Sequence, residues 1–352
     1  MSTWAVLAEE FNGIAPEIRG QWLLNKQRES VAAIGANRSN RNVVLYGSCF
    51  LQKPHVLANN LSITNEDVNG LMSVIHGMQW DKGLTLVLHT PGGVTNATES
   101  IVAYLRSKFE YIEVIVPTFA MSAGTMISLA SDLIILGRQS QLGPIDPQMN
   151  IGGKTVSARA VVEQFKTAKE DILGDAGKGI AGDLQMAHLW VPILQSLGPS
   201  LLQEAQNALD YSEQMVAKWA TKYMFKGRPD AEALGKAVAF HFNDATTHKS
   251  HGRRIDRDEA RAQGVVVENL EDDQELQEAV LTAYHLMTIA FENGPLSKVM
   301  ISDTGQVWAK NFITPEEQQL MAAARNANAA GPATRPSLPA APNRAERRGN
   351  KR

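Results

Sequence analysis

Four short apolar runs constrain the fold most: VVLYG (43–47), LTLVLH (84–89), EVIVP (113–117) and LIILG (133–137). They are rich in β-branched residues and do not alternate apolar with polar, the pattern of strands covered on both faces. Segments with helical spacing fill most of the intervals, at 65–78, 95–109 and 123–130. Strands buried on both sides and joined through helices need crossover connections, so the expected class is α/β.

Two of the strand-to-helix junctions carry residues suited to acyl transfer. After LTLVLH comes Pro91-Gly92-Gly93, and after EVIVP comes Ser122, which opens a helix of small residues, AGTMIS. A serine nucleophile needs an exposed turn with backbone N–H groups nearby to hold the developing oxyanion. Glycine at such a turn lets a substrate carbonyl approach the backbone where a Cβ would obstruct it. Each feature alone also has a plain structural reading, since serine is a preferred helix N-cap and PGG occurs in ordinary turns. A third motif, LGPIDPQ (142–148), follows Ser122 and contains Asp146.

Together HTPGG (89–93), AMSAGTMISLASD (120–132) and LGPIDPQ resemble the ClpP/crotonase superfamily of serine peptidases, within it most closely the serine dehydrogenase proteinase, signal peptide peptidase A and NfeD-type families. The resemblance is strong over residues 40–150 and fades toward 290. It implies a ClpP/crotonase-type spiral of ββα units with a helical arm. It also implies Ser122 as nucleophile of a serine endopeptidase, with Gly92 or Gly93 and Ala123 as oxyanion donors. The implied partners are a peptide or unfolded protein as substrate, further copies of the chain around an enclosed or semi-enclosed chamber, and an ATPase or adaptor as a further candidate.

The base is where the chain departs from the family patterns. Where the Clp proteolytic subunit has a histidine, this chain offers Asp146. The signal peptide peptidase and NfeD proteases use a lysine on a following helix; Lys154, Lys166 and Lys169 lie in that neighbourhood, the last two among Glu163, Glu170 and Asp171, a solvated pattern in which a lysine keeps its proton. The phrase HGRRIDRDEARAQGV (251–265) resembles the Clp stretch that carries the triad aspartate, which puts His251 at or next to that acid's place. The expectation is a triad with base and acid exchanged, His251 taking the serine proton and Asp146 orienting it. Lys166 is the second candidate, and an arrangement without a general base the third.

No HExxH, CxxC or P-loop pattern appears, so neither a metal nor a cofactor is expected. The one cysteine, Cys49, excludes an internal disulfide and reads as a small buried residue beside a strand. His188, His241 and His285 sit at helical positions among apolar residues and read as packed core or face residues, while His89 reads as core or as lining of the site. No run reaches the length of a membrane span, and MSTWAVLAEEFNG has acids where a signal peptide is basic, so the expected location is cytoplasmic. The net charge of −3 hides an asymmetry: in residues 331–352 Arg335, Arg344, Arg347, Arg348, Lys351 and Arg352 oppose only Glu346, a tail of +5 on a body of −8. Such a body is a poor electrostatic match for nucleic acid.

The expected organisation is a helical N-terminal arm (1–40), a peptidase domain (41–295) with a helical insert (155–228), a hairpin and short helix (296–326), and a disordered basic tail (327–352). The glycine-rich GDAGKGIAGD (174–183) reads as a mobile loop and Thr314-Pro315-Glu316-Glu317 as a capping box. Two rival functions share the fold: a crotonase-type acyl-CoA enzyme that needs no serine, and a non-catalytic scaffold.

Overall fold

In the computed structural model, which describes residues 3–198 and 200–312, the four runs become strands of one sheet: β1 (Asn42–Ser48), β2 (Leu84–His89), β3 (Ile112–Val116) and β4 (Leu133–Leu136). Every residue in all four is buried. With β5 (Val267–Asn269), β6 (Leu296–Ser302) and β7 (Val307–Asn311) they form a seven-stranded sheet in the order β5-β4-β3-β2-β1-β6-β7. The strands β5 through β1 pair in parallel, and β6 and β7 close the β1 edge antiparallel.

The strand period of two sorts side chains into two cores. Val44, Tyr46, Leu86, Leu88, Val114, Val116, Ile134 and Leu136 face one side and belong to one cluster; Val43, Leu45, Val87, Ile115 and Ile135 face the other and belong to a second. The first is covered by α3 (Glu66–Val74), α4 (Thr95–Arg106), α5 (Ala123–Leu129) and parts of α8 (Leu201–Lys222) and α9 (Ala231–Asn243). The second is covered by α2 (Arg19–Asn37) and α10 (Gln274–Glu292). Both crossover faces are therefore filled, as a parallel sheet requires.

Two helices from the segment set apart in the sequence as an arm (1–40) pack on this second face. The helix α1 (Trp4–Gly13) puts Leu7 and Phe11 against Leu286 and Ile289, α2 buries Val31 and Ile34, and Gln27 donates to the Ala283 carbonyl at 2.9 Å. The hairpin at 296–311, also set apart, extends the main sheet because β6 is apolar enough to be buried along β1. The glycine-rich segment expected to be mobile forms a small hairpin, 174–175 paired with 180–181, so tight that a Cβ on Gly174 would lie 2.5 Å from the Ile180 carbonyl oxygen. The capping box at 314–317, the helix it was expected to open and the basic tail lie outside the described residues.

The insert consists of a hairpin (148–151 with 154–157), α6 (Ala158–Leu173), the small hairpin, α7 (Ala187–Leu197) and the start of α8. Gly198, at φ +85°, separates α7 from α8. Its own small core consists of Ala158, Val161, Leu201, Ala205 and Leu209.

Candidate functional site

Beyond the C-terminal ends of β2 and β3 the chain builds a second, smaller sheet out of the motif segments. Thr90 bridges Ala120 in parallel, Ala120 pairs in parallel with Leu142, and Leu142 bridges Ile255 antiparallel. The Leu142–Ile255 bridge is closed by two backbone hydrogen bonds of 2.9 Å. The PGG turn, the Ser122 turn, the GPIDP loop and the HGRRI segment are thus laid side by side, about 4.8 Å apart per step, although 165 positions separate the first of these bridged residues from the last. Thr125 ties two of them further: its hydroxyl donates to the Ala120 carbonyl at 2.7 Å and accepts from the Gly143 N–H at 2.9 Å.

Ser122 stands at the N-cap of α5 with φ 51° and ψ −113°, a conformation that non-glycine residues rarely adopt. An ordinary capping serine is extended and accepts a bond from the first turn. Ser122 does neither: its side chain makes no cap hydrogen bond. Such strain persists only where the surroundings over-determine it. Here Gly92 presses on the serine from the front; a Cβ at Gly92 would lie 2.7 Å from both Ser122 Cβ and the Met121 carbonyl oxygen, and its φ of +101° independently favours glycine. Behind it the whole of α5 is buried.

The neighbouring backbone donors differ. The Gly92 N–H donates to Thr90 Oγ1 at 3.2 Å. Gly93 is bridged to Ile63, and the bonds there run from Ile63 N–H to the Gly92 carbonyl (2.7 Å) and from Val94 N–H to the Ile63 carbonyl (2.9 Å). Among the described residues neither the Gly93 N–H nor the Ala123 N–H donates to a protein acceptor.

Asp146, 1% exposed, and His251, 28% exposed, meet across 105 residues of sequence with Asp146 Oδ1 and His251 Nδ1 2.8 Å apart. Gln148 donates to the other carboxylate oxygen at 2.7 Å, so Asp146 is held as an acceptor on both sides. With Nδ1–H donated to a carboxylate, the neutral ring carries its lone pair on Nε2. The loop bearing His251 is pinned by Arg253, which pairs with Glu259 at 2.7 and 2.9 Å and donates to His248 Nδ1 at 2.8 Å. Among the described residues no hydrogen bond joins Ser122 to His251, and such contacts commonly tighten only with substrate in place.

The lysine candidates are exposed: Lys166 is paired with Glu163 at 3.5 Å on the outside of α6, and Lys154 and Lys169 are also exposed. His89 belongs to the core. It is fully buried, stacks on Phe50 at 4.8 Å, bonds Thr118 Oγ1 through Nδ1 at 2.9 Å, and burial pushes its imidazole down to about 3. His241 packs edge-on against Phe242 and His248, and its pKa is lowered chiefly by burial. Ligand atoms of His241, His248 and Glu259 all lie within 4.8 Å of one another, and the Arg253 guanidinium already donates to two of the three. Cys49 is buried beside β1, its N–H donated to the Ser297 carbonyl.

The buried pair Lys298 and Asp67, 3% and 0% exposed, was not singled out from the sequence. The available signal was a lysine inside the apolar strand LSKVMIS.

A family model described as ClpP-like SDH-type serine proteinase matches residues 5–180, half of the chain. Two uncharacterized proteins of Methanocaldococcus jannaschii are similar: MJ0137 is 36% identical over 126 residues, 35% of this chain and 44% of that protein, and MJ1495 is 39% identical over 87 residues, 25% and 30% respectively. The chain thus spans less than half the length of the curated relatives it matches. With a family model matching half of the chain, including the segments that carry the PGG, SAG and GPIDP motifs, the chain belongs to the ClpP-like SDH-type serine proteinases.

Proposed function

We propose that the protein is a serine endopeptidase in which Ser122 Oγ attacks the peptide carbonyl. His251 Nε2 accepts the hydroxyl proton as the C–O bond forms, and Asp146, hydrogen-bonded to Nδ1–H, orients the ring and stabilises the imidazolium. The carbonyl oxygen becomes an oxyanion held by the N–H groups of Gly93 and Ala123. Collapse of the tetrahedral intermediate breaks the C–N bond, with the imidazolium proton going to the leaving amine. Water, deprotonated by the same imidazole, then releases the acyl group from Ser122.

The observation that carries this reading is the backbone of Ser122: strained, at a helix start, with a hydroxyl that does not cap the helix. Family membership supports peptidase chemistry, and the Asp146–His251 bond supports histidine over an exposed lysine as base. An enolate-stabilising acyl-CoA enzyme would need the two N–H groups but would have no use for a serine–histidine–aspartate set.

Assembly belongs to the same proposal. None of the residues of α7 is buried, and Leu184 (74%), just before the helix, together with Leu189 (63%) and Ile193 (41%), one turn apart on it, are exposed, an apolar face that a second copy of the chain would cover.

Treating the protein with a fluorophosphonate and mapping the modified peptide tests the nucleophile. The phosphonyl group is expected on Ser122, with Ser122→Ala losing both labelling and casein hydrolysis while keeping its circular dichroism spectrum, since the Ser122 hydroxyl makes no cap hydrogen bond to lose. Labelling elsewhere, or hydrolysis retained by Ser122→Ala, would refute it.

A further inference from the structure

We propose that the buried Lys298–Asp67 ion pair is a positioning device for the oxyanion donor Gly93, acting through the backbone of Ser62, Ile63 and Thr64; the proposal rests on the peptidase reading of Ser122. Lys298 lies on β6 and Asp67 on α3, two elements far from Ser122 in sequence. The Lys298 ammonium donates to Asp67 Oδ1 at 3.1 Å, to Asp67 Oδ2 at 2.9 Å and to the Ser62 carbonyl. All three of its protons have acceptors. Asp67 Oδ2 in turn accepts the Thr64 N–H at 2.7 Å. The pair therefore grips a three-residue segment at both ends, Ser62 through its carbonyl and Thr64 through its amide.

The residue between them is the one that meets the PGG turn. Ile63 accepts and donates the two backbone bonds that flank Gly93, and a Cβ on Gly93 would fall 2.3 Å from the Ile63 carbonyl oxygen and 2.4 Å from its nitrogen. In a parallel bridge the residue opposite is bonded through its two neighbours, so its own N–H points to the other side. For Gly93 that side is away from Ile63, and Gly92, its neighbour, is packed on Ser122. The direction of the Gly93 N–H is thus set by where Ile63 sits, and Ile63 is set by the ion pair.

Stability alone gives a poor reason for the pair. Burying two charges carries a desolvation penalty that their mutual attraction need not repay, and well-packed apolar residues in their place are often neutral or stabilising. What an ammonium with three fixed acceptors adds is direction, and oxyanion stabilisation depends on donors held in place before the charge develops. A misplacement of about 1 Å can cost roughly 10²-fold in rate.

The test uses full-length Lys298→Met, Lys298→Arg and the double variant Lys298→Met/Asp67→Asn, the last removing both buried charges so that neither is stranded. For folded variants the expected result is a kcat on a fluorogenic casein-derived peptide lower by roughly 10–10²-fold, with KM within about twofold, and a parallel fall in the rate of fluorophosphonate labelling at Ser122. The pH profile keeps its shape because the base is untouched, and Lys298→Arg recovers part of the loss. Hydrogen exchange at the Ile63 and Val94 amides rises in the same variants, a readout independent of activity. Wild-type kcat and labelling in folded Lys298→Met or in the double variant would overturn the proposal. So would a double variant that cannot fold even with both charges removed, since the pair would then serve stability. If wild-type Ser122 itself is not labelled, the peptidase reading fails and the proposal falls with it, a result distinguishable from normal labelling in the variants.

Discussion

The motif-bearing sheet and the insert that follows it are built on opposite terms. In β1 through β4 every residue is buried, and the turns beyond them are so crowded that Gly92 and Gly93 have no room for a Cβ. In the insert, α7 buries nothing, and Gly152 and Gly153 turn their hairpin in open space. One region holds its geometry against strain, as at Ser122; the other holds apolar surface in reserve. A site that must keep donors aimed at a developing charge belongs on the first, and contact with other molecules belongs on the second.

If crowding around Ser122 is what fixes the site, Gly92→Ala gives the largest effect, because a methyl there meets Ser122 Cβ at 2.7 Å and the backbone is at φ +101°. Casein hydrolysis is expected to fall by at least about 10²-fold, while Gly13→Ala, which meets nothing within 4 Å, leaves it unchanged. Equal activities would show that crowding at Gly92 does not fix the site.

Urea unfolding sharpens the same contrast energetically. Leu86→Ala, at a side chain 1% exposed under the first core, is expected to cost about 2–5 kcal/mol, and Leu189→Ala, at 63% exposure on α7, less than about 0.5 kcal/mol. A comparable loss at both would mean the insert is covered in solution and folds as one unit with its cover.

Burial should also show in the acid response. The His89 imidazole is held down to about 3 by desolvation, against an ordinary value near 6.5, so between those values the unfolded chain binds a proton that the folded chain refuses. Its contribution is intact above about 6.5 and is lost progressively as pH falls toward 3. His89→Asn is therefore expected to lose less stability than wild type between neutral pH and pH 4.5, measured by urea midpoints. Parallel slopes would place the acid sensitivity elsewhere.

The smallest change in stability belongs to the insert face. Leu184→Asp/Leu189→Asp should lower the mass found by sedimentation at micromolar concentration while shifting the melting temperature little. An unchanged mass would exclude that face as the assembly surface.

What the sequence disclosed divides along the same line. The strands were legible because burial on both faces leaves an uninterrupted apolar run, and β2 at Leu84–His89 coincides with its run residue for residue. The helix at Arg257–Ala262 carries a start signal of the kind that local sequence shows, Asp256, which accepts from the amides of Asp258 and Glu259. The small hairpins of the insert were not, since Gln148–Ile151 and Lys154–Ser157 are largely exposed and lack an apolar face to impose a period. Nothing in local pattern joins Asp146 to His251; only the likeness of HGRRI to a family segment did. Lys298 and Asp67 stayed hidden because a buried charge is recognisable only once its partner is in place, and theirs lies 231 residues away.

The central claim is that His251 activates Ser122, and the pH dependence of Ser122 labelling by a fluorophosphonate measures that activation directly. In the wild type the second-order labelling rate should rise as the imidazole loses its proton. In His251→Ala it should be lower by roughly 10²–10⁴-fold and lose that dependence, while Lys166→Ala, altering an exposed lysine, should match the wild type. Labelling of His251→Ala at the wild-type rate with the same pH profile would contradict the account.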